Sequence, residues 1–112
     1  MIFVQSRLKV IDNSGALELG CIRLLKESSK KGAKVGDIVV CSVKKNIICK
    51  ALIVSTKNSV CRKGHYYIKS DSNSVIIIND SGPVANRIFG PIFYELRYKN
   101  MSKILSIAEQ LV

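Results

Sequence analysis

The chain has 112 residues, with 18 Lys and Arg against 8 Asp and Glu, for a formal net charge of +10. At 47% hydrophobic and 23% charged it has the balance of a globular chain rather than a disordered one, and its length supports one hydrophobic core but not two. No apolar run approaches the ~18 residues of a membrane span, and the cationic excess makes a polyanion the expected partner, nucleic acid ahead of an acidic membrane surface.

The first ten residues, MIFVQSRLKV, hold too short an apolar stretch for a signal peptide and lack the look of a transit peptide, so the chain is expected to enter its fold at once. Residues 6–11 alternate, with Ser6, Leu8 and Val10 on one face and Arg7, Lys9 and Ile11 on the other. That pattern predicts a first strand with a basic outer face. Asp12-Asn13-Ser14-Gly15 is a turn signal. A second strand over 20–25 is interrupted by Arg23, and residues 26–34, KESSKKGAK, form a polar loop. Such a loop is either a solvated connection or a cationic grip for phosphates.

The most apolar part of the chain follows. Residues 38–43 and 47–54 are two β-branched runs of strand length, nearly all apolar, as expected of strands buried on both faces or lining a barrel. Lys44-Lys45-Asn46 between them is short enough for a hairpin tip. Residues 56–64 are basic and turn-like, 65–69 read as a short strand, and 71–74 as a turn. Residues 75–78 are a core strand that ends at 79–83. Five or six short strands separated by turns predict a mainly β fold, a small closed β-barrel. Gly90-Pro91 fixes a bend in the apolar link 88–92. Beyond it, 93–97 and 101–110 are expected as short helices, the second with Ile104, Ile107, Ala108 and Leu111 on one face and Lys103 outside. The expected organisation is one domain, with the barrel in 1–85 and a helical region packed on it in 86–112.

Chemistry is legible mainly by what is missing. The four cysteines, Cys21, Cys41, Cys49 and Cys61, include no CxxC pair and read as small buried hydrophobes in a reducing compartment. His65 is the lone histidine, no phosphate-cradling glycine loop is present, and Asp37, Asp71 and Asp80 read as turn residues. No catalytic constellation, metal site or cofactor is expected, and a hydrolase built on His65 is the weakest of the readings considered. Cations instead cluster where connections fall: Lys30, Lys31 and Lys34; Lys44 and Lys45; Lys57, Arg62 and Lys63. Neutralising phosphates with such residues provides sequence-independent affinity for RNA. Tyr66 and Tyr67 point to opposite faces of their strand, so at most one is expected to stack on a base, and backbone and shape contacts to folded RNA are the expected mode. A free-standing basic barrel acting as a nucleic-acid chaperone is the alternative.

Five stretches, taken together, resemble universal ribosomal protein fourteen of the large subunit, in its bacterial or organellar form. They are LKVIDNSGALELGCIRLL (8–25), VGDIVVCSVK (35–44), KALIVSTKNSVCRKGHYYIKSDSNSVIIIND (50–80), NRIFGPIFYELR (86–97) and KILSIAEQLV (103–112). The resemblance implies a mainly β fold, a small five-stranded β-barrel with short C-terminal helices, bound directly to large-subunit rRNA. It also implies a place at the subunit interface, a bridge to small-subunit rRNA, and contact with neighbouring large-subunit proteins three and nineteen. It further implies docking of a ribosome-silencing factor at the positions held here by Asn86, Arg87 and Lys103, where Asn86 stands in place of the usual threonine. The ribbon between Lys45 and Lys50 is markedly shorter than the family's. The Ile/Lys/Asn/Ser-rich composition points to an AT-rich organellar genome, hence a mitochondrial ribosome, with a plastid ribosome or the bacterial cytoplasm as alternatives. The residues expected on RNA are Lys9, Asn13, Lys30, Lys31, Lys44, Lys45, Lys57, Arg62, Lys63 and Arg97.

Overall fold

The structure is a computed structural model and describes residues 7–13, 18–24, 32, 35–44, 47–57, 59–62, 66–79, 82–84, 87–93, 96 and 102–111. Its elements in chain order are β1 (Arg7–Val10), β2 (Glu18–Leu24), β3 (Ile38–Lys44), β4 (Ile47–Ser55), β5 (Val60–Arg62), β6 (Tyr66–Ile68), β7 (Ser74–Asn79), β8 (Gly82–Pro83), β9 (Ile88–Ile92), α1 (Ser102–Ile107) and β10 (Ala108–Leu111). Strands β1, β2, β3, β4 and β7 are hydrogen-bonded in that order, all antiparallel. A parallel pairing of β1 with β7, Lys9 opposite Ser74 and Val10 opposite Val75, closes them into a barrel of five strands.

The alternation read in the sequence sets which side chains enter the barrel. Leu8, Val10, Leu19, Cys21, Val39, Cys41, Ala51, Ile53 and Val75 form its interior, with Cys49 and Ile77 at the margin. Cys21 lies opposite Cys41, which lies opposite Cys49, so three small side chains form one row across β2, β3 and β4. A narrow barrel has room for residues of this size where larger ones would collide.

The second half of β4, Ala51–Ser55, and the start of β7, Ser74–Ile76, are buried on both faces, whereas β3, expected to be so, buries Val39 and Cys41 and leaves Ile38, Val40 and Ser42 half-buried on its other face. The outward-facing Leu52, Val54 and Ile76 of β4 and β7 pack with Ile11, Ile88, Ile92, Leu96 and Ile104 in a second cluster outside the barrel wall. The outer half of the β3–β4 hairpin projects past this cover, leaving Ile47 and Ile48 exposed. The hairpin is tighter than the three-residue tip expected, because Lys44 already pairs with Ile47. Lys45 and Asn46 lie outside the described residues.

The second cluster is held in place by the C-terminal third, which departs from the helical region expected. Phe89 N–H donates to the Ile11 carbonyl at 2.6 Å and Phe93 N–H to the Val54 carbonyl at 3.0 Å, laying β9 across the barrel. Of the first expected helix only Phe93 and Leu96 are described, joined in a single turn by Leu96 N–H to Phe93 C=O at 3.3 Å. The second helix is real but short. It ends at Ile107, and the chain continues as β10, parallel to β9 with Ala108 opposite Ile88 and Leu111 opposite Ile92. A helical apolar spacing and the edge of β9 compete for 108–111, and pairing with β9 satisfies backbone groups on both strands. Ile104 still turns inward and Lys103 outward, as the periodicity predicted.

Candidate nucleic-acid interface

The open end of the barrel, where β1 and β7 begin, carries a surface cleft of about 360 Å³ lined by Arg7, Leu8, Lys9, Glu18, Lys57, Ser72 and Asn73. Alternation on β1 turns Arg7 and Lys9 outward while Leu8 and Val10 fill the interior. Lys57 arrives from the far side of the barrel, just after β4. One residue joins the two lysines. The backbone carbonyl of Asn73 accepts Lys9 N–H at 3.0 Å, and its side-chain oxygen accepts Lys57 N–H at 2.9 Å. Asn73 is itself fixed in a tight serine-rich turn, where the hydroxyls of Ser72 and Ser74 lie 3.2 Å apart. Arg7 pairs with Glu18 at 3.7 Å, with both side chains largely exposed, and such a surface pair adds little to stability. The result is an exposed rim with Lys9 and Lys57 on either side of an open cleft, suited to a phosphate-bearing surface and too open to enclose a small substrate.

A second constellation forms where the chain leaves β1. Asp12 is buried, and its Oδ2 accepts Ile77 N–H at 3.0 Å. On that edge of β7, Ser74 and Val75 face β1, while Ile78 and Asn79 face β8. Asp12 fills the gap between the two partners, so the barrel closes without leaving Ile77 N–H unsatisfied. Asn13 then grips the segment before β9. Its N–H donates to the Arg87 carbonyl and its Oδ1 accepts Arg87 N–H, both at 3.3 Å. Asn13, expected as a direct RNA contact, is exposed and holds the backbone of Arg87, which is exposed too. Lys103 is positioned differently: its stem lies over Gly82, with Cδ 3.2 Å from where a β-carbon would stand. Gly82 has φ +126°, which side-chain-bearing residues rarely adopt.

The β5–β6 hairpin is an arm that pairs only with itself, Cys61 opposite Tyr67 and Arg62 opposite Tyr66. It is tied to the barrel at its root by Ser70 N–H to the Thr56 carbonyl, 2.8 Å. Both tyrosines are exposed. The strand alternation is as read, and both rings are open to solvent.

Of the other residues expected on RNA, Lys44 and Arg62 fall at strand ends, where the backbone alone is described. Lys30, Lys31, Lys45, Lys63, Arg97, Asn86 and also His65 lie outside the described residues. Asn73 and Asp12 were read only as turn residues. Their side chains reach 16 and 65 positions along the chain, and the local signals of Asp, Asn and Ser in a turn do not name such distant partners.

Inside the barrel, burial pushes the Cys41 thiol up to about 12, helped by its neighbours Cys21 and Cys49. The Cys21 thiol is raised by burial, against a backbone hydrogen bond from Arg23 that lowers it, and that of Cys49 by burial and then by the Asp12 carboxylate. All three are free and held as neutral thiols, unsuited to nucleophilic work. Among the described residues no group of three or more His, Cys, Asp or Glu is placed to hold a metal ion.

A cationic barrel end, an acid-poor projecting arm and an interior of inert thiols together describe a binding scaffold, and comparison with known proteins says which. The family described as Ribosomal protein L14p/L23e matches residues 1–112. The chain belongs to this family. Its members are structural components of the large ribosomal subunit that bind rRNA and sit among other large-subunit proteins, so this chain is a structural, rRNA-binding component of the ribosome.

Proposed function

We propose that the barrel end around Asn73 is the main rRNA-binding rim and that the opposite, C-terminal side faces the subunit interface. The observation that carries the first part is that Asn73 accepts the backbone N–H groups of both Lys9 and Lys57, which holds the two lysines at one open cleft. Lys30, Lys31, Lys44, Lys45, Arg62, Lys63 and Arg97 are assigned to the same rRNA. Phosphate contacts of this kind position a protein on folded RNA without reading its sequence. Residues 1–112 act as one ribosomal-protein domain.

On the C-terminal side, Arg87, held by Asn13, and Lys103, laid over Gly82, present two cations, and Asn86 is assigned to the same face. This face is assigned to a bridge with small-subunit rRNA and to docking of a ribosome-silencing factor. Large-subunit proteins three and nineteen are the neighbours. The compartment assigned is the mitochondrial matrix.

Binding of the purified chain to large-subunit rRNA, measured across a salt series, tests the division. Lys9→Glu with Lys57→Glu should weaken binding and flatten the salt dependence by roughly one unit of slope per lysine. Arg87→Glu with Lys103→Glu should leave that binding intact while weakening subunit joining and silencing-factor docking. Loss of rRNA binding from the second pair, with none from the first, would reverse the assignment.

A further inference from the structure

We infer that the β5–β6 arm is a two-sided stacking wedge, inserting between segments of rRNA with Tyr66 against a base or ribose on one face and Tyr67 against another on the opposite face. The inference rests on the rRNA-binding reading above and names where and how part of that binding occurs.

Three observations carry it. Tyr66 is 71% exposed and Tyr67 70% exposed, although tyrosine is normally at least half covered in a folded domain. They are consecutive residues of one strand, so their rings leave the ribbon on opposite faces. Among the described residues, β5 and β6 form a two-stranded sheet of their own, separate from the barrel sheet. Folding therefore gains little from either ring, and neither is needed for the barrel core.

Charge selects the occupant. From 59 to 70 the chain has no Asp or Glu and three cations, Arg62, Lys63 and Lys69. Lys69 is exposed beside the rings, Lys57 is exposed at the arm's root, and the register puts Arg62 across the ribbon from Tyr66. Aromatic faces interleaved with cations suit a strand of nucleotides, whose bases stack while its phosphates meet the charges. Every base offers such a face, so recognition needs no particular sequence, only unpaired or splayed nucleotides on both sides of the arm.

The test uses the purified full chain bound to large-subunit rRNA, with base-specific chemical probing of the RNA and an affinity measurement. Tyr66→Ala should unmask one set of protected bases, Tyr67→Ala a second, separate set, and the double variant both. Each single change should weaken binding by about 5- to 100-fold. Tyr66→Phe and Tyr67→Phe keep the ring and should behave like the parent chain. Because both rings are exposed, circular dichroism and the urea midpoint should not move. An unchanged probing pattern in the double variant, with the parent chain still bound, overturns the wedge and leaves the cationic rim standing. A photo-crosslinker at position 66 that labels a neighbouring protein in assembled subunits instead of rRNA also overturns it. A parent chain that protects no rRNA base at all overturns the wedge and the rRNA-binding reading together.

Discussion

Replacing Asp12 by alanine removes the acceptor that lets β7 change partners. In the folded chain Asp12 is buried, its Oδ2 lies 3.0 Å from Ile77 N–H, and the residues on either side of it bond to Val75 and Arg87. A hydrogen bond to a charged group is worth about 1.5–3 kcal/mol, and a buried N–H left without a partner costs about 1–3 kcal/mol. These describe the same loss from two sides and are not added, so Asp12→Ala should destabilise the barrel by about 2–3 kcal/mol. Asp12→Asn keeps an amide oxygen that can accept the bond without the charge, and its cost should be about 1 kcal/mol. With a urea slope of about 1–3 kcal/mol per molar for a domain of this size, the alanine variant's midpoint should fall by about 0.7–3 M. Removing the carboxylate also removes one cause of the raised Cys49 thiol, so Cys49 should alkylate faster in Asp12→Asn than in the parent chain. If Asp12→Ala lies within about 0.5 kcal/mol of the parent, or if the two variants are indistinguishable, the carboxylate is not what closes the barrel.

Three further outcomes follow from the geometry. Asn73→Ala deletes the bond to Lys57 N–H but not the backbone bond to Lys9, so stability should fall by only about 1 kcal/mol while rRNA affinity in a filter-binding assay falls clearly. The Cys41 thiol, raised from 9.0 to about 12, makes the folded chain keep a proton that the unfolded chain releases. Its contribution to stability is therefore complete below pH 9.0 and lost as pH rises towards about 12. Urea midpoints taken at about pH 8 and about pH 10.5 should drop more steeply for the parent chain than for Cys41→Ala. Gly90→Ala would place a β-carbon 3.2 Å from Ile11 Cδ1 in the second cluster, and should cost about 1–3 kcal/mol in thermal or urea unfolding.

Much of the candidate site was visible in the sequence as charge and little of it as geometry. Lys9 and Lys57 were legible as cations on a strand and in a turn. Their meeting across one cleft depends on Asn73, whose turn looked like any other Asx-rich connection. The two tyrosines were legible as alternating. Their joint exposure follows from the arm standing apart from the barrel, a fact about neighbours that alternation does not contain.

The sequence by itself determined the strands of the barrel, the burial of the second half of β4, the basic excess and, through five stretches, the family. Those properties are written in periods of two to four residues and in composition, so local reading reaches them. Tertiary structure alone decided how the barrel closes, why Asp12 and Asn13 are an acid and an amide, and that 108–111 is a strand rather than the end of a helix. Each depends on pairing between segments far apart in the chain, such as Asp12 with Ile77 and Asn13 with Arg87, 65 and 74 residues away. A backbone group's need for a partner is local, whereas which partner meets it is settled only when the chain has folded.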